Sequence, residues 1–193
     1  MFISNCSIAQ SFSWGPVAGL NFSNITESPS SGVTSTNKTG LIAGIKFERK
    51  FDSSFSVISK IRYLSSGFKS KSGQYDITWN MEYLDFPILI KYKFNIENVF
   101  PYLTAGFSTG FNLSAKLKSS ENIVAVEVDF KNSIEKYNFE LLFGTGIDIN
   151  ILESKSIFVQ IAYSLGLVDI NKSNNTSWKT KSIQVTSGLL FNL

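Results

Sequence analysis

The sequence predicts an all-β protein, a single eight-stranded antiparallel up-and-down barrel. Two observations predict it. Eight segments alternate large apolar residues with small or polar ones, and their connections run long, short, long, short, long, short, long. Because successive side chains of a strand point to opposite faces, a period of two predicts strands with one apolar face. The ordered connections predict that sequence neighbours are joined as antiparallel hairpins.

The first four strands are predicted at about residues 14–23, 40–50, 55–63 and 84–94. The fourth shows the pattern most clearly, because Leu84, Phe86 and Ile88 alternate with Asp85 and Pro87. The apolar face of these four strands consists of Trp14, Pro16, Ala18, Leu20 and Phe22, then Leu41, Ala43, Ile45 and Phe47, then Phe55, Val57, Ile61 and Tyr63, then Leu84, Phe86, Ile88, Ile90, Tyr92 and Phe94.

The last four strands are predicted at about residues 102–113, 138–149, 157–166 and 182–193. Their second face is rich in Gly, Ser, Thr and Asn, which are small or polar. Their apolar face consists of Leu103, Ala105, Phe107, Phe111 and Leu113, then Phe139, Leu141, Phe143, Ile147 and Ile149, then Ile157, Val159, Ile161, Tyr163 and Leu165, then Ile183, Val185, Leu189, Phe191 and Leu193.

The connections fall into two classes. Short turns are predicted at residues 52–54, 95–98 and 152–155, and long polar loops at 24–37, 65–79, 116–136 and 169–179. Within the third loop Val124, Val126 and Val128 alternate with other residues, so strands five and six are expected to extend as a hairpin. Its free edge would suit a partner strand, and the alternative is a hairpin that only packs on neighbouring loops.

Side-chain volume decides which face points inward. Eight strands enclose a lumen only just wide enough for side chains to fill, and about five large apolar residues per strand would not fit. The bulky face must therefore look outward into lipid, which predicts a transmembrane barrel of a bacterial outer membrane. Short turns and an even strand count then predict that both termini are periplasmic and that the long loops are extracellular.

Composition excludes several function classes. The formal charge is +3 with scattered lysines, so nucleic acid is not an expected partner. The chain has no histidine and one cysteine, Cys6, so we expect no enzyme, no catalytic residue, no cofactor and no metal site. Residues 1–10 are predicted to be a remnant of a signal peptide, and residues 11–193 to form the single barrel domain.

The polar set that stands out is a group of charges on the inward face. Opposite charges in a narrow lumen are expected to pair, because an unpaired buried charge costs several kcal/mol. Strand direction places Arg62, Asp85 and Glu140 toward the outer end, with Glu48, Lys91, Lys93 and Asp148 toward the periplasm. The whole predicted lumen charge network is Lys46, Glu48, Lys60, Arg62, Asp85, Lys91, Lys93, Glu140 and Asp148.

Three segments carry a resemblance to a known family: YLDFPILIKY at residues 83–92, PYLTAG at 101–106 and GLNFS at 19–23. They resemble the PorT-like outer-membrane β-barrel family. The resemblance implies the fold and the outer-membrane location more than an activity. The last strand also resembles the signal read by the barrel assembly machinery during insertion, with Thr186, Gly188, Phe191 and Leu193 at its positions, although Leu193 stands where an aromatic residue is usual.

These observations predict an integral outer-membrane protein whose lumen is filled by side chains. Its expected role is structural, or that of an adhesion or complex-subunit module, with outer-membrane lipid around it and an envelope protein bound to its extracellular loops. One alternative is a narrow passive pore for ions or small solutes. A second is a soluble lipocalin-like carrier.

Overall fold

A computed structural model describes residues 11–27, 34–72, 75–96, 99–121, 124–152, 154–172 and 177–193. Predicted features at residues 1–10, which include the signal-peptide remnant and Cys6, lie outside this part of the chain. The elements are β1 (Phe12–Glu27), β2 (Thr34–Lys50), β3 (Phe55–Ser72), β4 (Tyr75–Lys93), β5 (Phe100–Glu121), β6 (Val124–Asp129), a 3₁₀ helix (Lys131–Ser133), β7 (Tyr137–Leu152), β8 (Lys155–Gly166) and β9 (Trp178–Asn192).

Eight strands close into a ring, in the order β1, β2, β3, β4, β5, β7, β8, β9 and back to β1. Every pairing is antiparallel between neighbours in that ring. The predicted eight-stranded up-and-down barrel is therefore confirmed. The ninth strand, β6, pairs with the far end of β5 and lies outside the ring.

The two ends of the barrel differ. We call one the short-turn end, because the three tight connections after β2, β4 and β7 lie there together with the start of β1 and the end of β9. The other is the long-hairpin end. Three of the predicted polar loops there are wrong in extent. In the described part of the first, β1 continues paired with β9 and β2 continues paired with β3, whereas β3 with β4 and β5 with β6 continue as hairpins through most of the second and third. Their Ser, Thr, Asn and Lys residues lack the apolar alternation that marks a strand in lipid, yet the backbone ladder continues.

The predicted faces are confirmed. Large apolar side chains point away from the lumen, such as Leu41 and Ile90, which are 63% and 61% exposed, whereas Lys46 and Arg62 are 0% and 2% exposed inside. A soluble carrier has the opposite distribution, with an apolar interior and a polar exterior. The expected hairpin of strands five and six is present as β5 and β6, but the 3₁₀ helix separates β6 from the next barrel strand.

Candidate functional site

A charged layer lies across the lumen near the short-turn end. It consists of Lys46, Glu48, Lys91 and Asp148, which strand alternation on β2, β4 and β7 turns inward. Glu48 is the centre of the layer, because its carboxylate lies 3.0 Å from the Lys46 Nζ and 2.8 Å from the Lys91 Nζ. Lys91 also pairs with Asp148. Two cations and two anions therefore compensate one another away from water, as buried charges require.

Two aromatic rings complete this layer. The Lys46 Nζ lies 4.0 Å from the centroid of the Phe158 ring, and the Lys91 Nζ lies 4.3 Å from that of Tyr102. Cations placed over ring faces gain electrostatic energy, and more when water is excluded. Gly146 makes room for Tyr102, since a Cβ at that position would overlap its phenol group. Lysines, carboxylates and rings together leave little open space across the lumen at this level.

A second set of ionic contacts lies further along the lumen toward the long-hairpin end. The Arg62 Nε donates to the Asp85 Oδ2 at 2.7 Å, and the Ser108 hydroxyl donates to the other Asp85 oxygen at 2.5 Å. Arg62 and Asp85 are opposite one another in the register of β3 and β4, so their ion pair is a direct contact between neighbouring strands. Lys60 has a neutral partner instead, the Gln160 side-chain oxygen at 2.8 Å.

Glu140 is held by neutral groups. The hydroxyls of Ser164 and Thr180 donate to its two carboxylate oxygens, Thr180 at 2.9 Å. The Asn138 amide donates to it as well, at 2.8 Å. Glu140 is thus held by hydroxyl and amide groups rather than by an ion pair with the basic residues, although Ser108, its partner across the β5–β7 ladder, donates to Asp85.

Lys93 lies at the mouth of the barrel rather than in its buried interior. Its side chain is half-exposed, and its Nζ lies 4.7 Å from the centroid of the Phe100 ring. It borders a cavity of about 650 Å³ that opens at the short-turn end. The charged layer closes the inner side of this cavity.

The long-hairpin end is closed by a cluster that sequence reasoning missed. We call it the aromatic plug: Phe68, Trp79, Phe130 and Trp178. The Trp79 ring centroid lies 5.5 Å from Phe68, 4.8 Å from Phe130 and 5.0 Å from Trp178. Eight further buried residues belong to the same cluster: Ile25, Ile42, Leu64, Met81, Tyr83, Ala115, Ile134 and Ile170.

The plug was missed because its members lie in segments predicted to be polar loops. Large aromatic residues isolated among Ser, Lys and Asn were the available signal, because four bulky rings in three polar loops would be unfavourable in water. The connection from β8 to β9 is fixed by Asp169, whose Oδ1 accepts the backbone N–H groups of Asn171 at 3.0 Å and Trp178 at 2.9 Å. Partial burial raises the pKa of Asp169, but the hydrogen bonds from Trp178, Asn171 and Ser177 and the nearby Lys179 charge together outweigh it, so the pKa of Asp169 is lowered. Asp169 thereby positions Trp178 for the plug.

The residues of the predicted assembly signal occupy β9 and the position after it. Thr186 faces the lumen, and Gly188 leaves space for the Phe158 ring. Phe191 packs on Trp14 with a centroid distance of 5.7 Å, and Leu193 is 79% exposed. Their recognition by the assembly machinery stays a prediction.

No helix among the described residues is long and apolar enough to cross a bilayer. The same part of the chain brings no three His, Cys, Asp or Glu residues together in the manner of metal ligands.

The model of the outer membrane protein beta-barrel domain family matches residues 8–172, and the chain belongs to this family. Among solved structures it is similar to the outer membrane protein OprG from Pseudomonas aeruginosa, with 10% identity, a TM-score of 0.56 and 96% of each chain covered. It is also similar to Neisserial surface protein A, with 14% identity and a TM-score of 0.52, over 94% of this chain and 96% of that one. No curated protein sequence matches it significantly. Family membership places the protein in the bacterial outer membrane, and the two structures share its fold.

Proposed function

We propose that this protein is a closed, non-conducting outer-membrane barrel that acts as a structural or adhesive module through its long hairpins. One observation carries the proposal: the buried charged layer lies across the lumen toward one end and the aromatic plug lies toward the other. A side-chain-filled interior leaves the projecting hairpins as the large variable surface. On this reading the protein is not an enzyme, consistent with a chain that contains no histidine.

The proposed orientation puts the long hairpins outside the cell and both termini in the periplasm, as short periplasmic turns and long extracellular loops are usual in such barrels. The assembly machinery would insert it from the periplasmic side through the residues near Thr186 and Phe191. The PorT-like relationship within the outer membrane family belongs to this proposal as well, since it rests on the segments at 83–92, 101–106 and 19–23.

Orientation is tested by labelling intact cells with a membrane-impermeant maleimide. In a Cys6→Ser background, we expect Lys131→Cys, exposed after β6, to react, and Asp52→Cys, exposed in a short turn, to react only after the outer membrane is opened. The reverse pattern would overturn the orientation. Labelling of both residues in intact cells would mean a leaky membrane, which an impermeability control with a periplasmic enzyme identifies.

The interaction role rests on the β5–β6 hairpin. Among the described residues β6 pairs with β5 and leaves its second edge without a strand. The Phe130 N–H donates to the Ala115 carbonyl, so by alternation the backbone groups of Ala125, Glu127 and Asp129 point to that open edge. Edges of this kind accept a partner strand by β-augmentation.

A photo-crosslinking amino acid tests for a protein partner in the native membrane. Placed at Val128, which is 50% exposed on β6, it should give a protein adduct, whereas the same residue at Ile90 on the lipid face should not. No adduct at Val128 would argue against an envelope-protein partner at this hairpin.

The second candidate function is a narrow pore, which the open cavity at the short-turn end favours. Planar-bilayer recording decides between the two candidates. We expect no steady channels for the purified wild-type protein. Steady single-channel openings in the wild-type protein would remove the closed-barrel proposal.

A further inference from the structure

The mouth of the barrel at the short-turn end has the size of a small-molecule site. Its cavity of about 650 Å³ lies outside the charged layer and opens to solvent. Ligand-binding clefts commonly measure about 300–1,000 Å³ and combine apolar walls with a few polar groups. This mouth has both kinds of wall, formed chiefly by Lys50, Lys93, Phe100, Leu152, Leu190 and Asn192.

The mouth carries an excess of positive charge. The two carboxylates at its inner side belong to the charged layer, where they already compensate the two buried lysines. Lys50 and Lys93 add two cations above them. The acidic residue beside them, Asp52, has its Oδ1 occupied by the backbone N–H groups of Ser54 and Phe55, both at 2.7 Å. Among the described residues, the mouth and the charged layer beneath it together hold four cations, Lys46, Lys50, Lys91 and Lys93, and three carboxylates, Glu48, Asp52 and Asp148.

The two cations are held close together. Lys50 faces Ser56 across the β2–β3 ladder, and the Lys93 N–H donates to the neighbouring Ser54 carbonyl at 2.7 Å. Both side chains border the same cavity and also the smaller neighbouring pocket beside Ser54 and Ser56. Two like charges facing a common cavity are stabilised when an anion comes between them.

The cavity also has apolar surface. Phe100 lies beneath the Lys93 Nζ at 4.7 Å from its ring centroid, and Leu190 is buried at 3% exposure deeper in the cavity. A ligand that satisfies both walls has an anionic head and an apolar body.

We propose that the short-turn mouth binds a small organic anion, with a carboxylate or phosphate group between Lys50 and Lys93 and an apolar portion against Phe100 and Leu190. The site is independent of the proposed role of the hairpins. If the short-turn end faces the periplasm, the ligand reaches it from there.

The test is a binding titration of the full chain in lipid nanodiscs, with empty nanodiscs as the blank. The probes are benzoate and phenyl phosphate, with benzamide as the neutral control and benzylammonium as the cationic control. We expect saturable binding of one or both anions and no binding of the two controls. Binding of the anions should weaken with added salt, because the interaction is electrostatic. The anion that binds more tightly identifies the head group.

Substitutions locate the site. The Lys50→Gln/Lys93→Gln double variant should bind the anions about tenfold more weakly, the loss of roughly 1.4 kcal/mol expected for two part-exposed ion pairs. The matched control is Lys155→Gln, an exposed lysine at the same end that lies over Phe191 outside the cavity, and it should bind as the wild type does.

Heat-dependent gel mobility confirms that each variant is folded before titration. The proposal is overturned if neither anion binds above the blank, if benzamide binds equally well, or if a folded double variant retains wild-type affinity. None of these results depends on which side of the membrane the hairpins occupy.

Discussion

The two ends of the lumen are closed by opposite chemistry. Near the short-turn end the closure is ionic, with two lysines and two carboxylates in the charged layer. At the long-hairpin end it is apolar, with three rings around Trp79 in the aromatic plug. The two ends also differ in how completely their strands are paired, and this explains the difference in chemistry.

The charged layer lies in the part of the barrel where the strand ring is complete, which we call the closed section. Each strand there is paired on both sides, so the backbone hydrogen bonds and the lipid-facing side chains hold the section together. The interior can then contain charge, provided that every charge is compensated.

The aromatic plug lies where the ring is open. Among the described residues β8 ends at Gly166, β6 pairs with β5, and β9 begins at Trp178, so the ladder does not close there. Hairpins that leave the ring need another source of cohesion, and buried apolar area supplies it as in a water-soluble protein. The comparison teaches that buried ion pairs lie where the strand ring is complete, whereas the open end is held by buried apolar side chains.

The largest expected effect comes from breaking the charged layer. Glu48→Gln removes the anion shared by Lys46 and Lys91, whose ammonium groups are fully buried, and should lower the free energy of unfolding by about 3–5 kcal/mol. Urea unfolding in detergent, followed by tryptophan fluorescence, measures it.

The matched control is the Glu48→Gln/Lys46→Met double variant. It leaves Lys91 paired with Asp148 and should recover most of the loss. A Glu48→Gln effect below about 1 kcal/mol would mean that water screens this layer and that it is not sealed.

A lysine introduced on the outer surface should destabilise the closed section more than the hairpins, because only the closed section contacts lipid. Ile88→Lys, on the outer face of β4, should cost about 2–4 kcal/mol if that position lies at mid-bilayer. Val128→Lys on β6, equally exposed, should be nearly neutral because it meets water. Unfolding titrations of both variants in lipid vesicles give the two values, and equal costs would contradict a boundary between the sections.

Loss of a plug ring should be smaller and local. Trp178 is half-buried, so Trp178→Ala should cost about 2 kcal/mol, below the 3–5 kcal/mol of a fully buried large aromatic residue. We expect faster amide hydrogen exchange in β3, β4 and the 167–172 segment, with exchange in the closed section unchanged. Uniformly faster exchange throughout the barrel would show that the two sections unfold as one unit.

The smallest effect is a pH dependence of the plug. The pKa of Asp169 is lowered in the folded protein, so its contribution is present above the ordinary aspartate pKa and is lost as the pH falls through the folded value. Since Asp169 is largely solvated, we expect less than about 1 kcal/mol. Near-ultraviolet circular dichroism of the tryptophans should change below about pH 3.9 in the wild type and much less in Asp169→Asn. Identical titrations would exclude Asp169 as the group that holds Trp178.

Much of the fold could be predicted from the sequence, because lipid imposes a strict alternation on strands that cross it. Ile88 and Ile90 flank an inward Leu89, and the short turns fell at the predicted positions. The hairpin extensions could not be predicted, because strands in water need no apolar face and the run around Ser65–Ser72 looks like a loop. The pairing partners were likewise open: nothing in the sequence says that Lys60 would meet Gln160 while Arg62 would meet Asp85.

By itself, then, the sequence determined the strand number, the inward and outward faces and the location in a membrane, since each follows from local periodicity and from side-chain volume in a narrow lumen. Only the tertiary structure decided how the inner charges are grouped, that Trp79 and Trp178 meet across the open end, and that Lys50 and Lys93 share one cavity. Those facts depend on contacts between strands distant in sequence. Alternation along a strand excludes a register shift of one residue, because that shift would turn the apolar face inward, but it does not distinguish registers that differ by two residues or say which side chains meet across the lumen.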